Sequence, residues 1–264
     1  MSRFITLCSS SSGNSAYVGH GPVGVLIDAG ATCKQLISAM RDADVDPESI
    51  RAIFLTHEHS DHIKGVRVLA NRLKVPVYAT GGTLSAMNKT ELVDGSYQTV
   101  KLFPEDPIDV GGITVQYFPT SHDAKESCGY VIQMPDERTV GVCTDTGVLT
   151  DDMLVELAGC NLILLESNYD EDMLTHGFYT PSLKARIRSP LGHLSNDAAA
   201  AAAVRLLKGG TRYFVLGHLS RENNTPTLAR GTVNLALKQS GAEEDVDYIL
   251  RVAPVTGMEK AIVF

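Results

Sequence analysis

The strongest chemical signal in the sequence is a group of four metal-binding side chains within six residues: His57, His59, Asp61 and His62. The group follows an apolar, strand-like segment, Ala52–Thr56, and precedes a helical pattern. Side chains two residues apart in an extended segment point to the same side, so His57 and His59 are expected to converge on one ion. The same alternation predicts Asp61 on that side and His62 turned toward a second position. Imidazole and carboxylate ligands together suit zinc, manganese or iron(II).

Six residues cannot complete two metal sites, so further ligands are expected after later strands. Three more candidates each follow a strand-like segment. The segments are Ile113–Phe118, Thr139–Thr144 and Arg212–Leu216, and the residues that follow them are His122, Asp145 and His218. Each of these residues alone is typical of an ordinary turn, and only the combination predicts a metal centre.

In this order, the candidate ligands resemble the metal motifs of the metallo-β-lactamase superfamily, which run HxHxDH, His, Asp and His. The resemblance implies a four-layer αβ/βα sandwich, with two mixed sheets and helices on the outer faces, formed by residues 1–264 as a single α/β domain. It implies two divalent ions, and it distributes the ligands as follows: His57, His59 and His122 on one ion, Asp61, His62 and His218 on the other, and Asp145 between them. Asp28 matches the first motif, a carboxylate that orients a ligand histidine. A water held between two such ions loses its proton near neutral pH, so the resemblance implies a hydrolase, with Asp61 among the catalytic residues.

Two further motifs bear on the reaction. Glu166 ends the strand-like segment Leu162–Glu166, and His193 precedes an alanine-rich helix. They resemble the Glu and His motifs of tRNase Z-like phosphodiesterases, which implies that Glu166 orients His193 and that His193 gives a proton to the leaving oxygen. The whole motif set, which includes a serine-rich loop at positions 9–15 and the segment 218–224, is similar to the bacterial YycJ/WalJ family. That similarity implies a metal-dependent DNA exonuclease that acts from 5′ ends and serves DNA repair.

Charge bears on the expected partner. The chain has a net charge of −8, which is unfavourable for binding nucleic acid. Residues 181–240, however, hold nine basic and two acidic side chains, a net of +7 that leaves −15 for the remainder. We therefore expect DNA to be held by a local basic segment and its neighbours. The predicted substrate-binding residues are Ser12, Asn14, Lys184, Arg186, Arg188, Ser195, Asn196, Arg221 and Asn223.

Other members of the superfamily offer alternative functions. A glyoxalase II-like thioesterase or lactonase would use the same ligands, and a promiscuous β-lactam hydrolase or a non-catalytic, metal-stabilised module stays open. Classical β-lactamases usually have Cys, His or Ser at the position of Asp145, and they need an export signal that the N-terminal segment does not resemble. Asp145 and His218 are 73 positions apart, which leaves no room for the inserted domain of the long β-CASP nucleases.

The five cysteines are widely scattered and form no CxxC pair, which is typical of buried thiols in a reducing compartment. No apolar run approaches the roughly 18 residues that a membrane helix needs. The sequence therefore predicts a cytoplasmic protein without a membrane segment.

Overall fold

The computed structural model describes residues 1–90, 92–258 and 260–264. The strands of this part of the chain form two seven-stranded sheets, numbered here in chain order. The first sheet contains, from edge to edge, β14 (Ile262–Val263), β1 (Ser2–Ser10), β2 (Gly13–His20), β3 (Val23–Ile27), β4 (Ile50–Phe54), β5 (Val77–Ala79) and β6 (Thr99–Lys101). The second contains β13 (Ile249–Val252), β12 (Tyr213–Gly217), β11 (Leu162–Glu166), β10 (Thr139–Cys143), β9 (Cys128–Gln133), β8 (Ile113–Pro119) and β7 (Ile108–Val110).

Both sheets are mixed, as predicted. Strands β3 to β6 are parallel, as are β10 to β13, whereas β14 to β3 and β7 to β10 pair antiparallel. Parallel strands end at the same edge of a sheet, so the residues that follow β3 and β4 lie together at one edge of the first sheet, and those that follow β10, β11 and β12 at one edge of the second. The short strand β14 near the C-terminus pairs with β1 through Ile262 and Val263.

Nine α-helices of the described chain connect the strands: α1 (Cys33–Asp42), α2 (Ser60–Ile63), α3 (Val66–Leu73), α4 (Gly81–Asn88), α5 (Asp151–Leu157), α6 (Glu171–His176), α7 (Pro181–Arg188), α8 (Asn196–Lys208) and α9 (Pro226–Gln239). Most begin at a Thr, Ser or Asp whose side chain accepts a hydrogen bond from the first turn. The helical pattern that follows the histidine group forms two helices, α2 and α3, divided at Gly65. There the backbone passes so close to Ala31 that a Cβ atom would lie 2.1 Å from its carbonyl oxygen.

Alternating side chains along the strands build three apolar layers. In β4, Ile53 packs under α1 and α3, whereas Phe54 packs against the second sheet. In β11, Leu164 faces the first sheet, whereas Ile163 packs under α5, α8 and α9. Strands that are buried on both faces in this way require helices on the two outer sides. The predicted four-layer sandwich is confirmed.

All five cysteines are free thiols, four of them buried and Cys8 half-buried. Burial raises the pKa of Cys8 to about 12 and that of Cys160 to about 11, so neither thiol is reactive near neutral pH. Within residues 1–90, 92–258 and 260–264, no helix is long and apolar enough to cross a membrane, and α9, the longest, has 14 residues.

Candidate metal centre

The predicted ligands meet where strands from both sheets end. His218 directly follows β12, Asp145 closely follows β10, and Asp28 directly follows β3. These three residues have left-handed backbone, with φ of 53°, 58° and 63°. Left-handed backbone is uncommon outside glycine, although Asp and His adopt it more readily than most residues. Such a residue turns the chain abruptly at the strand end, and all three side chains lie buried at the site.

The first ligand group contains three histidines, His57, His59 and His122, whose candidate ligand atoms lie within 4.8 Å of one another. His122 donates from Nδ1 to the Gly192 carbonyl oxygen at 2.8 Å, which leaves a lone pair on Nε2. That Nε2 lies 3.3 Å from Nδ1 of His59. The Nε2 atom of His57 is buried without a hydrogen-bond partner among the described residues. A buried imidazole nitrogen without a partner, facing two others, fits a divalent cation.

The second group contains Asp61, His62 and His218, again with ligand atoms within 4.8 Å. Asp145 approaches both of its histidines, with Oδ2 at 3.2 Å from His62 Nε2 and Oδ1 at 3.3 Å from His218 Nε2. The ligand atoms of Asp145, His57 and His62 also lie within 4.8 Å of one another, so Asp145 stands between the two groups, as a bridging ligand is expected to do. Strand alternation predicts Asp61 on the side of His57 and His59, but Asp61 groups with His62 and His218, because the extended backbone ends where helix α2 begins at Ser60.

Asp28 fixes the orientation of His62. Its Oδ2 accepts hydrogen bonds from His62 Nδ1 at 2.7 Å and from Thr56 Oγ1 at 2.9 Å, and its Oδ1 accepts from the Thr56 backbone N–H at 2.8 Å. Because the Thr56 hydroxyl donates to Asp28, it accepts from His57 Nδ1 at 3.0 Å, which leaves His57 Nε2 as a ligand atom. Thr56 therefore sets the tautomer of one histidine and helps hold another. The sequence analysis assigned it no role, although it immediately precedes the histidine group.

Burial keeps several of these histidines in the neutral form that binds metals. It lowers the pKa of His57 well below the usual range, lowers that of His122, and lowers that of His218 to about 4. Burial raises the pKa of Asp145, but His218 and His62 outweigh that effect and hold it well below its usual range. Burial also lowers the pKa of His62, but Asp145 and Asp28 outweigh this and raise it well above its usual range. The site therefore presents three neutral imidazoles and one imidazolium around an ionised carboxylate.

Beside the ligand groups lies the predicted pair of Glu166 and His193. His193 Nδ1 donates to Glu166 Oε1 at 2.7 Å, and Glu166 Oε2 accepts the Thr146 backbone N–H at 2.8 Å. The His193 ring lies 5.0 Å from that of His122 and 5.3 Å from that of His218, measured between centroids. Burial lowers the pKa of His193, but the Glu166 carboxylate more than reverses this and raises the pKa to about 9. His193 therefore keeps its proton at neutral pH at the edge of the site.

The predicted substrate-binding residues of the serine-rich loop differ in placement. Asn14 is buried, and its Nδ2 lies 3.1 Å from His62 Nε2 and 3.3 Å from Asp61 Oδ2, so it contacts the ligand residues themselves. Ser12 is exposed, with its hydroxyl 2.8 Å from that of Ser10.

Among three other predicted substrate-binding residues, burial contradicts direct substrate contact by Asn196 and Asn223, whereas the half-exposed Ser195 stays a prediction. Ser195 caps helix α8. Asn196 is buried, accepts from Ser167 Oγ at 2.6 Å and forms a reciprocal amide pair with Asn224. Asn223 is 1 % exposed. A side chain without solvent access cannot contact a polymer substrate directly. The sequence analysis gave Asn168 no role, but its Nδ2 donates to the His218 carbonyl oxygen at 2.9 Å.

The basic segment carries less free charge than its composition indicated. Arg186 binds Asp123 through Nε at 2.5 Å, Arg188 binds Glu171, and Lys184 donates to the Thr175 carbonyl oxygen at 2.7 Å. Three other arginines of the segment also form ion pairs: Arg205, Arg212 and Arg230. Arg221 is exposed and forms no ion pair with any described residue. Arg186 lies close to the metal centre, because Oδ1 of its partner Asp123 is 3.4 Å from His122 Nε2.

Comparisons with known proteins agree with this geometry. The model of the Beta-lactamase superfamily domain matches residues 24–219. Exodeoxyribonuclease YycJ of Bacillus anthracis is 39% identical over 242 residues, which cover 90% of each chain. Exodeoxyribonuclease WalJ of Streptococcus pneumoniae is 37% identical over 249 residues, which cover 93% of this chain and 92% of that protein.

Two solved structures show the same fold at low sequence identity. YhfI of Bacillus subtilis, a metallo-beta-lactamase fold protein, superposes with a TM-score of 0.73 at 17% identity, covering 97% of this chain and 98% of that one. Zn²⁺-bound PqqB of Methylobacterium extorquens superposes with a TM-score of 0.73 at 18% identity, covering 97% of this chain and 99% of that one. The chain belongs to the beta-lactamase superfamily of metal-dependent hydrolases and, within it, to the family of the YycJ and WalJ exodeoxyribonucleases.

Proposed function

We propose that this protein is a metal-dependent DNA exonuclease that hydrolyses phosphodiester bonds from a 5′ end. The observation that carries the proposal is the Glu166–His193 pair beside the metal centre. Hydrolysis of a phosphodiester expels an alkoxide, a strong base that leaves readily only when it is protonated. Two full-length relatives named as exodeoxyribonucleases support DNA as the substrate.

The donor set suits two divalent ions, of zinc, manganese or iron. His57, His59 and His122 would hold one, Asp61, His62 and His218 the other, and Asp145 would contribute to both. When bound, the ions lower the pKa of a water and neutralise charge on the phosphodiester. The buried, unpartnered Nε2 of His57 and the lowered pKa of that imidazole support this assignment.

His193 and Glu166 then act as one unit. Glu166 accepts the Nδ1 proton of His193, so the remaining ring nitrogen, Nε2, is the one that can face a substrate. The carboxylate also stabilises the imidazolium, so His193 holds a proton on Nε2 at neutral pH. We assign that proton to the leaving O3′ atom of the nucleotide that is released. Thr146 keeps Glu166 in place through its backbone N–H.

Exposed residues at the rim provide the DNA contacts in this proposal. Ser12 and Arg221 are exposed and near ligand-bearing segments. Arg186 is half-exposed beside the centre, and a phosphate could replace Asp123 as its partner. With most other arginines of the segment paired, binding is expected to be weak and strongly dependent on salt.

The test is to incubate 5′-phosphorylated duplex DNA with the purified protein and manganese, and to follow release of mononucleotides. We expect cleavage from the 5′ end, with His193→Ala lowering kcat by about 10²- to 10⁴-fold, the usual contribution of a general acid. His176→Ala is the matched control, because His176 is an exposed histidine on α6. Absence of cleavage of both DNA and RNA would refute the proposal. Hydrolysis of a glutathione thioester without nuclease activity would identify a thioesterase instead.

A further inference from the structure

A surface cavity of about 440 Å³ adjoins the metal centre on the side of His122. Ser121 and His122 belong to its lining, and Phe118 and Met153 provide apolar wall. Leu191 also lines it, with 53 % of its surface exposed. Cavities of this size are typical of sites for small organic ligands. No role in the hydrolysis described above uses this cavity.

Helix α5 contributes two carboxylates to the cavity. Asp152 and Glu156 are exposed and four residues apart, so they lie on the same face of the helix. They repel phosphate groups and accept hydrogen bonds from amino groups. The cavity therefore combines apolar wall, two hydrogen-bond acceptors and a common boundary with a metal ligand. That chemistry suits an uncharged, amino-bearing aromatic group attached to a phosphate that stays at the metal centre.

The cavity is physically connected to the reacting groups through the segment 190–192. Three consecutive carbonyl oxygens of this segment accept hydrogen bonds. That of Pro190 accepts from Ser121 Oγ at 2.8 Å, and that of Leu191 accepts from the Asp123 N–H at 3.0 Å. The Gly192 carbonyl oxygen accepts from His122 Nδ1 at 2.8 Å. His193, the proton donor, is the next residue. A group that packs on the exposed Leu191 side chain therefore rests on the backbone that positions both His122 and His193.

We propose that this cavity receives the nucleobase of the terminal nucleotide, and that it prefers bases with an exocyclic amino group: adenine, cytosine and guanine. The proposal rests on the proposed function, which places the leaving O3′ atom of that nucleotide at His193. Its base then lies on the Leu191 side of the phosphate. Carboxylates accept hydrogen bonds from base amino groups, which thymine lacks.

The first experiment measures occupancy without catalysis. The chain contains no tryptophan, so a single introduced indole is an unambiguous fluorescent reporter. Gln116→Trp places it in the cavity lining, and Val155→Trp places it at an exposed position of α5 outside the lining. The matching ligand is 2′-deoxyadenosine 3′-monophosphate, because its phosphate is joined to O3′ as in the proposed complex. With the metal-loaded Gln116→Trp protein, we expect fluorescence titration to show that it binds at least about fivefold more tightly than thymidine 3′-monophosphate or 2-deoxyribose 3-phosphate. Equal affinities for the adenine nucleotide and 2-deoxyribose 3-phosphate, or equal responses of the two reporters to the adenine nucleotide, would overturn the proposal.

The second experiment measures cleavage of DNA whose terminal nucleotide is normal or abasic. Stacking of one base contributes about 1–3 kcal/mol, so kcat/KM should fall at least about fivefold for the abasic end. Leu191→Ala should reduce this difference, whereas Leu235→Ala, at a similarly exposed leucine on α9, should leave it unchanged. Asp152→Asn with Glu156→Gln should reduce the preference for adenine over thymine. Equal cleavage of normal and abasic ends would refute the base pocket. Failure to cut any DNA would refute the proposed function, while the fluorescence experiment would still decide whether the cavity binds a nucleobase.

Discussion

Replacing Glu166 with glutamine removes one charge from the site at almost constant shape. The buried carboxylate accepts two hydrogen bonds, one from His193 Nδ1 and one from the Thr146 N–H. A glutamine side chain has a single oxygen, so its NH₂ group must face one of these donors. The variant therefore loses the stabilisation of the His193 imidazolium and part of the hydrogen bonding that positions the ring.

The size of the effect follows from the pKa of His193, about 9 against an ordinary value of 6.5. This difference corresponds to about 3 kcal/mol in favour of the protonated form. Because the folded-state pKa is raised, the proton is fully held below pH 6.5 and is lost as the pH rises through about 9. If the pKa in Glu166→Gln returns to the ordinary 6.5, the protonated fraction at pH 8 falls about 30-fold, whereas at pH 6 it changes by less than about twofold.

The assay is the pH dependence of kcat between pH 6 and 10. We expect the alkaline limb on DNA to move down by about two pH units in Glu166→Gln. A p-nitrophenyl phosphodiester, whose leaving group needs no proton, should show little change. Glu171→Gln serves as a control, since Glu171 is a half-exposed carboxylate that binds Arg188. If Glu166→Gln lowers kcat equally at pH 6 and pH 8, or equally on both substrates, Glu166 only maintains the local structure.

Three other predictions follow from the geometry. Asp28→Asn should weaken metal binding about 10- to 100-fold in a chelator competition, whereas Asp46→Asn, at an exposed helix cap, should not. Removing the metals should lower the thermal midpoint, because ions present at about 1,000 times their Kd stabilise the folded state by about 4 kcal/mol; an unchanged midpoint in calorimetry would contradict the metal assignment. Gly192→Ala should destabilise the protein by about 1–3 kcal/mol in urea unfolding, since the new Cβ would lie 2.2 Å from the Ile187 carbonyl oxygen. Gly231→Ala, where nothing lies within 4 Å, is its control and should not destabilise.

The layers of the fold and the main site residues were predictable from the sequence because they depend on local rules. Apolar alternation identified strands such as Ala52–Thr56 and Leu162–Glu166, and polar residues after strand ends marked His122, Asp145 and His218. These signals depend only on residues that are neighbours along the chain, so they can be recognised in a single sequence. The ligand distribution itself came from the family resemblance.

What the sequence did not predict depends on contacts between distant segments. Strand alternation misplaced Asp61 because it ignored the helix that begins at Ser60. Asn196 looked like a surface residue at a helix start, but its partner Asn224 is 28 positions away. The charge count of residues 181–240 overestimated the free positive surface. Partners such as Asp123 lie outside that segment, and only the folded chain brings them to the arginines.

The two sheets each supply part of the ligand set, and this has a consequence for how the protein acquires its metals during synthesis. A ribosome makes His57, His59, Asp61 and His62 early, but His218 emerges only after about four-fifths of the chain. The first group is complete only once His122 has been made, and the second only once His218 has been made. A nascent chain therefore offers only weak, open sites. Tight binding must wait until the second sheet has folded against the first, so the finished fold, rather than the first ion encountered, selects the metal.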